Sequence, residues 1–135
     1  MILADTSGLL ALLDEGEPAH PEVRSAVAED GGPLLTTDLV LAETAFLIHA
    51  RLGPDAERSF LRQILDGALL REPIGTPDLA RAGEILTKFC DQRFGLTDAT
   101  TMALAERLGV PVLTLDRRHF GIFRDAREEP LALLP

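Results

Sequence analysis

Four carboxylates stand out by where they fall in the chain. Asp5 ends the apolar run Met1-Ile2-Leu3-Ala4, and Asp116 ends a second one, Val110-Pro111-Val112-Leu113-Thr114-Leu115. Asp98 falls in the first turn of a helical stretch opened by Thr97, and Glu43 is embedded in Leu39-Val40-Leu41-Ala42-Glu43-Thr44-Ala45-Phe46. Gathered in one place, such acids repel. Two carboxylates about 5 Å apart, at an effective dielectric of about 20, cost roughly 3 kcal/mol. Four together need protons or cations between them. A donor set made only of oxygens suits Mg²⁺ or Mn²⁺ better than zinc. Metal-assisted hydrolysis is the chemistry such a set performs.

Each acid also has a plainer reading. Asp98 is a favourable charge at a helix start, Glu43 lies on a solvated helix face, Asp116 begins a type I turn, and Asp5 caps the helix behind it. These readings weaken together, because four distant segments are expected to deliver their acids to one edge of the fold.

The elements that must do this follow from apolar spacing and from Gly and Pro breaks. A strand to Ala4 is followed by a short helix, Ser7 to Leu13, with Thr6 or Ser7 as its cap. A second helix runs from His20 to Glu29. Leu34-Leu35-Thr36 reads as a strand, and Thr37 or Asp38 caps a long apolar helix to Gly53. Pro54 opens a further helix to Gly67. Ala68 to Glu72 reads as a short strand, Pro77 to Phe89 as a helix, Cys90 to Leu96 as a loop and Thr97 to Leu108 as a helix. The strand into Asp116 follows, then a turn at Arg117-Arg118-His119-Phe120, and Leu131 to Leu134 closes as an edge strand. Strands alternating with helices predict an α/β fold: an α/β/α sandwich on a mainly parallel sheet, with residues 1–135 as one domain. Ligands of such sheets sit at the carboxyl edge of the strands. Asp5 and Asp116 end there. Asp98 joins them because its helix runs antiparallel to the strand that it feeds.

The bulk composition narrows the field. A length of 135 residues with 46% hydrophobic residues supports a real core. The chain has no Trp or Tyr, which argues against aromatic platforms for stacking bases. A net charge of −9 argues against broad binding to phosphates through a basic face. It suits a cationic partner or acids gathered around a metal. Cys90 is the only cysteine, so neither an internal disulfide nor a cysteine zinc site is expected. There is no signal-peptide pattern and no run long enough to span a bilayer, so a soluble cytoplasmic protein with no membrane partner is expected.

With these residues in view, the chain resembles the PIN-domain ribonucleases, and among them the toxin component of VapBC-type toxin–antitoxin pairs. The matching pieces are Ile2-Leu3-Ala4-Asp5-Thr6-Ser7, Glu43 in its apolar helix, Gly95-Leu96-Thr97-Asp98-Ala99, and Val112 to Phe120. Together they cover essentially the whole chain. The resemblance implies Mg²⁺- or Mn²⁺-dependent cleavage of single-stranded RNA by metal-activated water, leaving a 5′-phosphate and a 3′-hydroxyl. Asp5, Glu43, Asp98 and Asp116 match its acidic cluster, and Thr6 and Thr114 match its supporting hydroxyls. Ser7 reads as a further hydroxyl orienting the acids. An antitoxin with a basic tail and a homodimer are implied as partners.

Two rival readings fit the residues less well. A phosphoaspartate protein of the haloacid-dehalogenase type wants an acid at position 7, where this chain has Ser7. Its lysine could only be Lys88, the sole lysine, inside a helix that leads to no acid-ended strand. A PIN-like module that binds RNA or protein without cutting should have lost some of its acids. Asp91 either extends the acidic rim or ends a helix, with the second preferred. Arg117, Arg118 and His119 either meet RNA phosphates or form a solvated turn. His20 and His49 read as structural or surface residues.

Overall fold

The computed structural model describes residues Met1–Pro135. Five strands, β1 (Ile2–Ala4), β2 (Leu34–Thr36), β3 (Leu70–Arg71), β4 (Val112–Leu113) and β5 (Leu133–Leu134), form one sheet in the order β3-β2-β1-β4-β5. Every pairing is parallel, with Ile2 opposite Leu34 and Leu3 opposite Val112. Seven helices connect them: α1 (Thr6–Leu13), α2 (His20–Asp30), α3 (Asp38–Leu52), α4 (Pro54–Leu65), α5 (Thr76–Lys88), α6 (Leu96–Leu108) and α7 (Arg117–Ile122).

Side chains of a strand alternate between faces, and this alternation splits the core in two. Ile2, Ala4, Leu34 and Leu113 pack with Leu9, Val23, Val40, Ile48 and Phe60 from α1 to α4. Leu3, Leu35 and Val112 pack with Ala82, Ile85, Ala99, Met102 and Phe120 from α5, α6 and α7. The chain builds outward from β1 through β2 to β3, then returns to the other side of β1 for β4. The order therefore reverses between β1 and β4, which is where open α/β sheets form their crevice.

Gly8 lets α1 approach β4. A Cβ there would lie 2.2 Å from the Leu113 carbonyl oxygen, well inside van der Waals contact. No helix is long and apolar enough to cross a membrane.

Several local expectations are corrected. Asp5, not Thr6 or Ser7, caps α1, because its carboxylate reaches the Gly8 amide at 2.8 Å. The cap of α6 is Gly95, so Thr97 lies inside the helix. The segment Arg117–Ile122 is a helix capped by Asp116 rather than a turn. The third and fourth strands are shorter than their apolar runs, because only two residues of each pair with a neighbour. In α3, Val40, Thr44 and Ile48 face the core, whereas Phe46 is 71% exposed despite its apolar surroundings.

Candidate functional site

Asp5 leaves the end of β1 almost fully buried, 4% exposed. Such a carboxylate is stable only if its oxygens find donors. Oδ1 accepts from the Gly8 amide at 2.8 Å and from the Ser7 hydroxyl at 2.9 Å. Oδ2 accepts from the Thr114 hydroxyl at 2.8 Å. Ser7 Oγ in turn accepts from the Leu115 amide, and Thr114 Oγ1 from the Asp116 amide, both at 2.9 Å. Each hydroxyl can then turn its own proton to Asp5, and the two hydroxyls lie 3.3 Å apart. The network ties the end of β1 to the segment after β4.

Asp116 caps α7. Its Oδ1 accepts from the His119 amide at 3.1 Å, and its Oδ2 from His119 Nδ1 at 2.8 Å. The imidazole stands edge-on to Phe94, with centroids 5.6 Å apart. Asp98 is partly buried at the start of α6, and Glu43 projects, exposed, from α3.

All four acids line one open cleft of about 260 Å³, together with Thr6, Ser7, Leu10, Leu47 and Arg51. A larger groove of about 640 Å³ opens beside the start of β4, but its three acids, Glu22, Glu29 and Asp30, all come from α2. Only the smaller cleft collects acids from four separate elements.

The charges in the cleft act on one another. Burial, with a smaller push from Asp98, raises Asp5 from 3.8 to about 6 against the pull of its three donors. Asp98 is raised by burial, then by Asp116 and Glu43, while the Gly95 amide and His119 act the other way. No three of the acids are drawn together here into a closed ligand set.

The donor chemistry fits a hard divalent ion. It is oxygen-only, and it gathers negative charge that no lysine or arginine neutralises through an ion pair. Thr6 is among the residues that line the cleft, and its buried hydroxyl has no hydrogen-bond partner.

The structure thus brings Asp5, Glu43, Asp98 and Asp116 to one cleft and joins Ser7 and Thr114 to Asp5. Thr6 touches none of the acids by hydrogen bond. Asp91 lies outside the cleft and accepts from the Gln92 amide side chain at 3.2 Å. Arg117 donates to the Pro135 carbonyl. His20 Nδ1 donates to the Ala11 carbonyl at 2.9 Å, and His49 pairs with Glu57 at 2.6 Å on the surface. Sequence reasoning missed Leu10, Leu47 and Arg51. The signal for two of them was present, since Glu43, Leu47 and Arg51 are spaced by four on one helix face.

Comparison with known proteins agrees with this architecture. The family model described as PIN domain matches residues 2–127. Ribonuclease VapC26 of Mycobacterium tuberculosis is 39% identical over 124 residues, covering 91% of this chain and 92% of that protein. Among solved structures, the sarcin-ricin-loop-cleaving toxin VapC20 of M. tuberculosis superposes with a TM-score of 0.78 at 24% identity, over 87% of this chain and 92% of its own. VapBC of Salmonella typhimurium, crystallised bound to DNA, gives a TM-score of 0.73 at 15% identity over 98% and 95%. On this family match and this degree of identity, the chain belongs to the PIN-domain family.

Proposed function

We propose that residues 1–135 form one PIN domain that acts as an endoribonuclease, the toxin of a toxin–antitoxin pair, and cleaves single-stranded RNA with Mg²⁺ or Mn²⁺. The observation that carries this reading is the convergence of Asp5, Glu43, Asp98 and Asp116 on one cleft with no ion-paired lysine or arginine among them. An identity of 39% to a ribonuclease, over 91% of the chain, supports the reaction class.

Asp5, Glu43, Asp98 and Asp116 would hold the ion. A divalent ion bound there supplies Lewis-acid polarisation of the scissile phosphate and a lowered pKa for the attacking water. The chain's own part is positioning. Ser7, Thr114 and the Gly8 amide hold Asp5 in one orientation and favour its ionised form against burial. His119 fixes the carboxylate plane of Asp116. These supports are what keep ligand carboxylates aimed. No side chain is required as a nucleophile.

An antitoxin with a basic tail fits the acidic cleft and the net charge of −9. Solved structures of the same fold include VapBC of S. typhimurium and FitAcB of Neisseria gonorrhoeae. A homodimer is proposed from the family resemblance.

The test is cleavage of single-stranded RNA by purified, antitoxin-free protein with added Mn²⁺ or Mg²⁺. Cleavage is expected, and Asp5→Asn abolishes it. Uncut RNA under these conditions, with Asp5→Asn as toxic on expression as the parent, would refute the reading.

A further inference from the structure

The cleft has two poles. The acids occupy one. Arg51 is the only lysine or arginine among the nine lining residues, and it enters none of the chain's ion pairs. Its place on α3 explains why it does not collapse onto the acids. Arg51 follows Glu43 by eight residues, which at 1.5 Å per residue is about 12 Å along the helix axis. Leu47 stands halfway between them on the same face, and Leu10 of α1 also lines the cleft. Acids, an apolar strip and an unpaired guanidinium therefore succeed one another along the wall.

A strand of RNA presents the matching sequence: phosphate, nucleoside, phosphate. We propose that Arg51 is a substrate-positioning residue that grips an RNA phosphate flanking the scissile one, with Leu10 and Leu47 beneath the intervening nucleoside. This rests on the ribonuclease reading above. It also addresses a difficulty of that reading, since a chain of net charge −9 must still hold a polyanion. A planar fork of donors on an exposed guanidinium is the group best suited to a phosphate. Placed beyond reach of the acids, it adds affinity for RNA without neutralising them.

The test uses Arg51→Ala and Arg51→Lys in the full chain. Steady-state cleavage of a labelled single-stranded RNA of mixed sequence is read with Mn²⁺. Binding of the same RNA is read by anisotropy in the uncleaving Asp5→Asn background. Arg51→Ala is expected to raise KM and Kd about tenfold, as loss of one hydrogen bond to a charged group does, with kcat changed much less. Log affinity against log salt becomes shallower by about 0.7, the share of one phosphate contact on a single strand. Arg51→Lys keeps the slope and recovers part of the affinity. Mn²⁺ affinity, titrated without RNA, stays at the parent value in both variants.

Unchanged Kd and salt slope in Arg51→Ala, beside an active parent, overturn the assignment and leave the ribonuclease reading standing. So does a change in Mn²⁺ affinity with RNA affinity intact, which would make Arg51 a modulator of the acids. A parent chain that neither cuts nor binds RNA overturns both.

Discussion

Replacing Asp5 by Asn should stabilise the metal-free protein at neutral pH while removing its response to metal. Burial holds the Asp5 carboxyl at about 6 instead of 3.8. At about 1.36 kcal/mol for each tenfold change in proton affinity, the ionised form costs the folded chain roughly 3 kcal/mol. Between 3.8 and about 6 the folded state holds more of this proton than the unfolded state. Stability contributed by this group therefore falls as pH rises through that window and levels off above it. Asn carries no such charge, but its amide NH₂ cannot accept from Thr114 or Ser7. At about 1 kcal/mol for each lost bond, the variant should gain on the order of 1 kcal/mol near neutrality and lose about as much near pH 4. Urea unfolding followed by circular dichroism at both pH values measures the crossing. Saturating Mn²⁺ then separates the two proteins: at a hundredfold excess over Kd the parent gains about 2.7 kcal/mol, and Asp5→Asn gains far less. Equal destabilisation of the variant at both pH values, with equal stabilisation of both proteins by Mn²⁺, would show that Asp5 is a cap and nothing more.

Thr114→Val removes a donor from Asp5 and an acceptor from the Asp116 amide at once. It should cost about 1–3 kcal/mol in a denaturant titration and about 10- to 100-fold in cleavage, with Thr114→Ser restoring most of both. Asp98→Asn should weaken Mn²⁺ binding in a calorimetric titration more than it lowers the melting temperature. A proportional loss of both would count against its place in the metal site. Gly8→Ala drives a methyl into the Leu113 carbonyl and should destabilise by about 1–3 kcal/mol in thermal melts, with cleavage falling as α1 moves off β4.

Much of this architecture is legible in the residues because it depends on local patterning. Apolar runs bounded by Gly and Pro mark the strands, and one turn of polar small residues marks the start of most helices. Parallel pairing follows once helices separate consecutive strands. From there, acids at strand ends and helix starts must share an edge, which is how Asp5, Asp98 and Asp116 could be grouped in advance. What escaped depends on contacts between elements. The sequence offered Asp5, Thr6 and Ser7 as caps of α1, and choosing Asp5 required knowing that the helix begins at Thr6. The apolar crowding of α3 hid which side faces the sheet, and Phe46 on that helix is exposed. Arg51 drew no reading from the sequence, because its meaning depends on the cleft that α3 forms with α1.

The four acids are held with very different firmness, and the order has a physical consequence. Asp5 is buried and accepts from Gly8, Ser7 and Thr114. A carboxylate has about four lone-pair sites, so little more than one remains to face the cleft, and its direction is fixed. Asp116 is fixed through two bonds from His119. Glu43 is exposed on its helix and engages in no hydrogen bond or ion pair with these groups. A site built this way gains a rigid reference from the β1–β4 switch point and an adjustable arm from α3. When a divalent ion binds as proposed, the closing movement falls to Glu43 and Asp98, the two acids that no other side chain holds, and their side chains lose rotamer freedom in the process. The Asp5 corner, already ordered by folding, adds almost none of that cost. The opening strand thus contributes one acid whose immobility the capping bond, the two hydroxyls and the glycine at position 8 all serve.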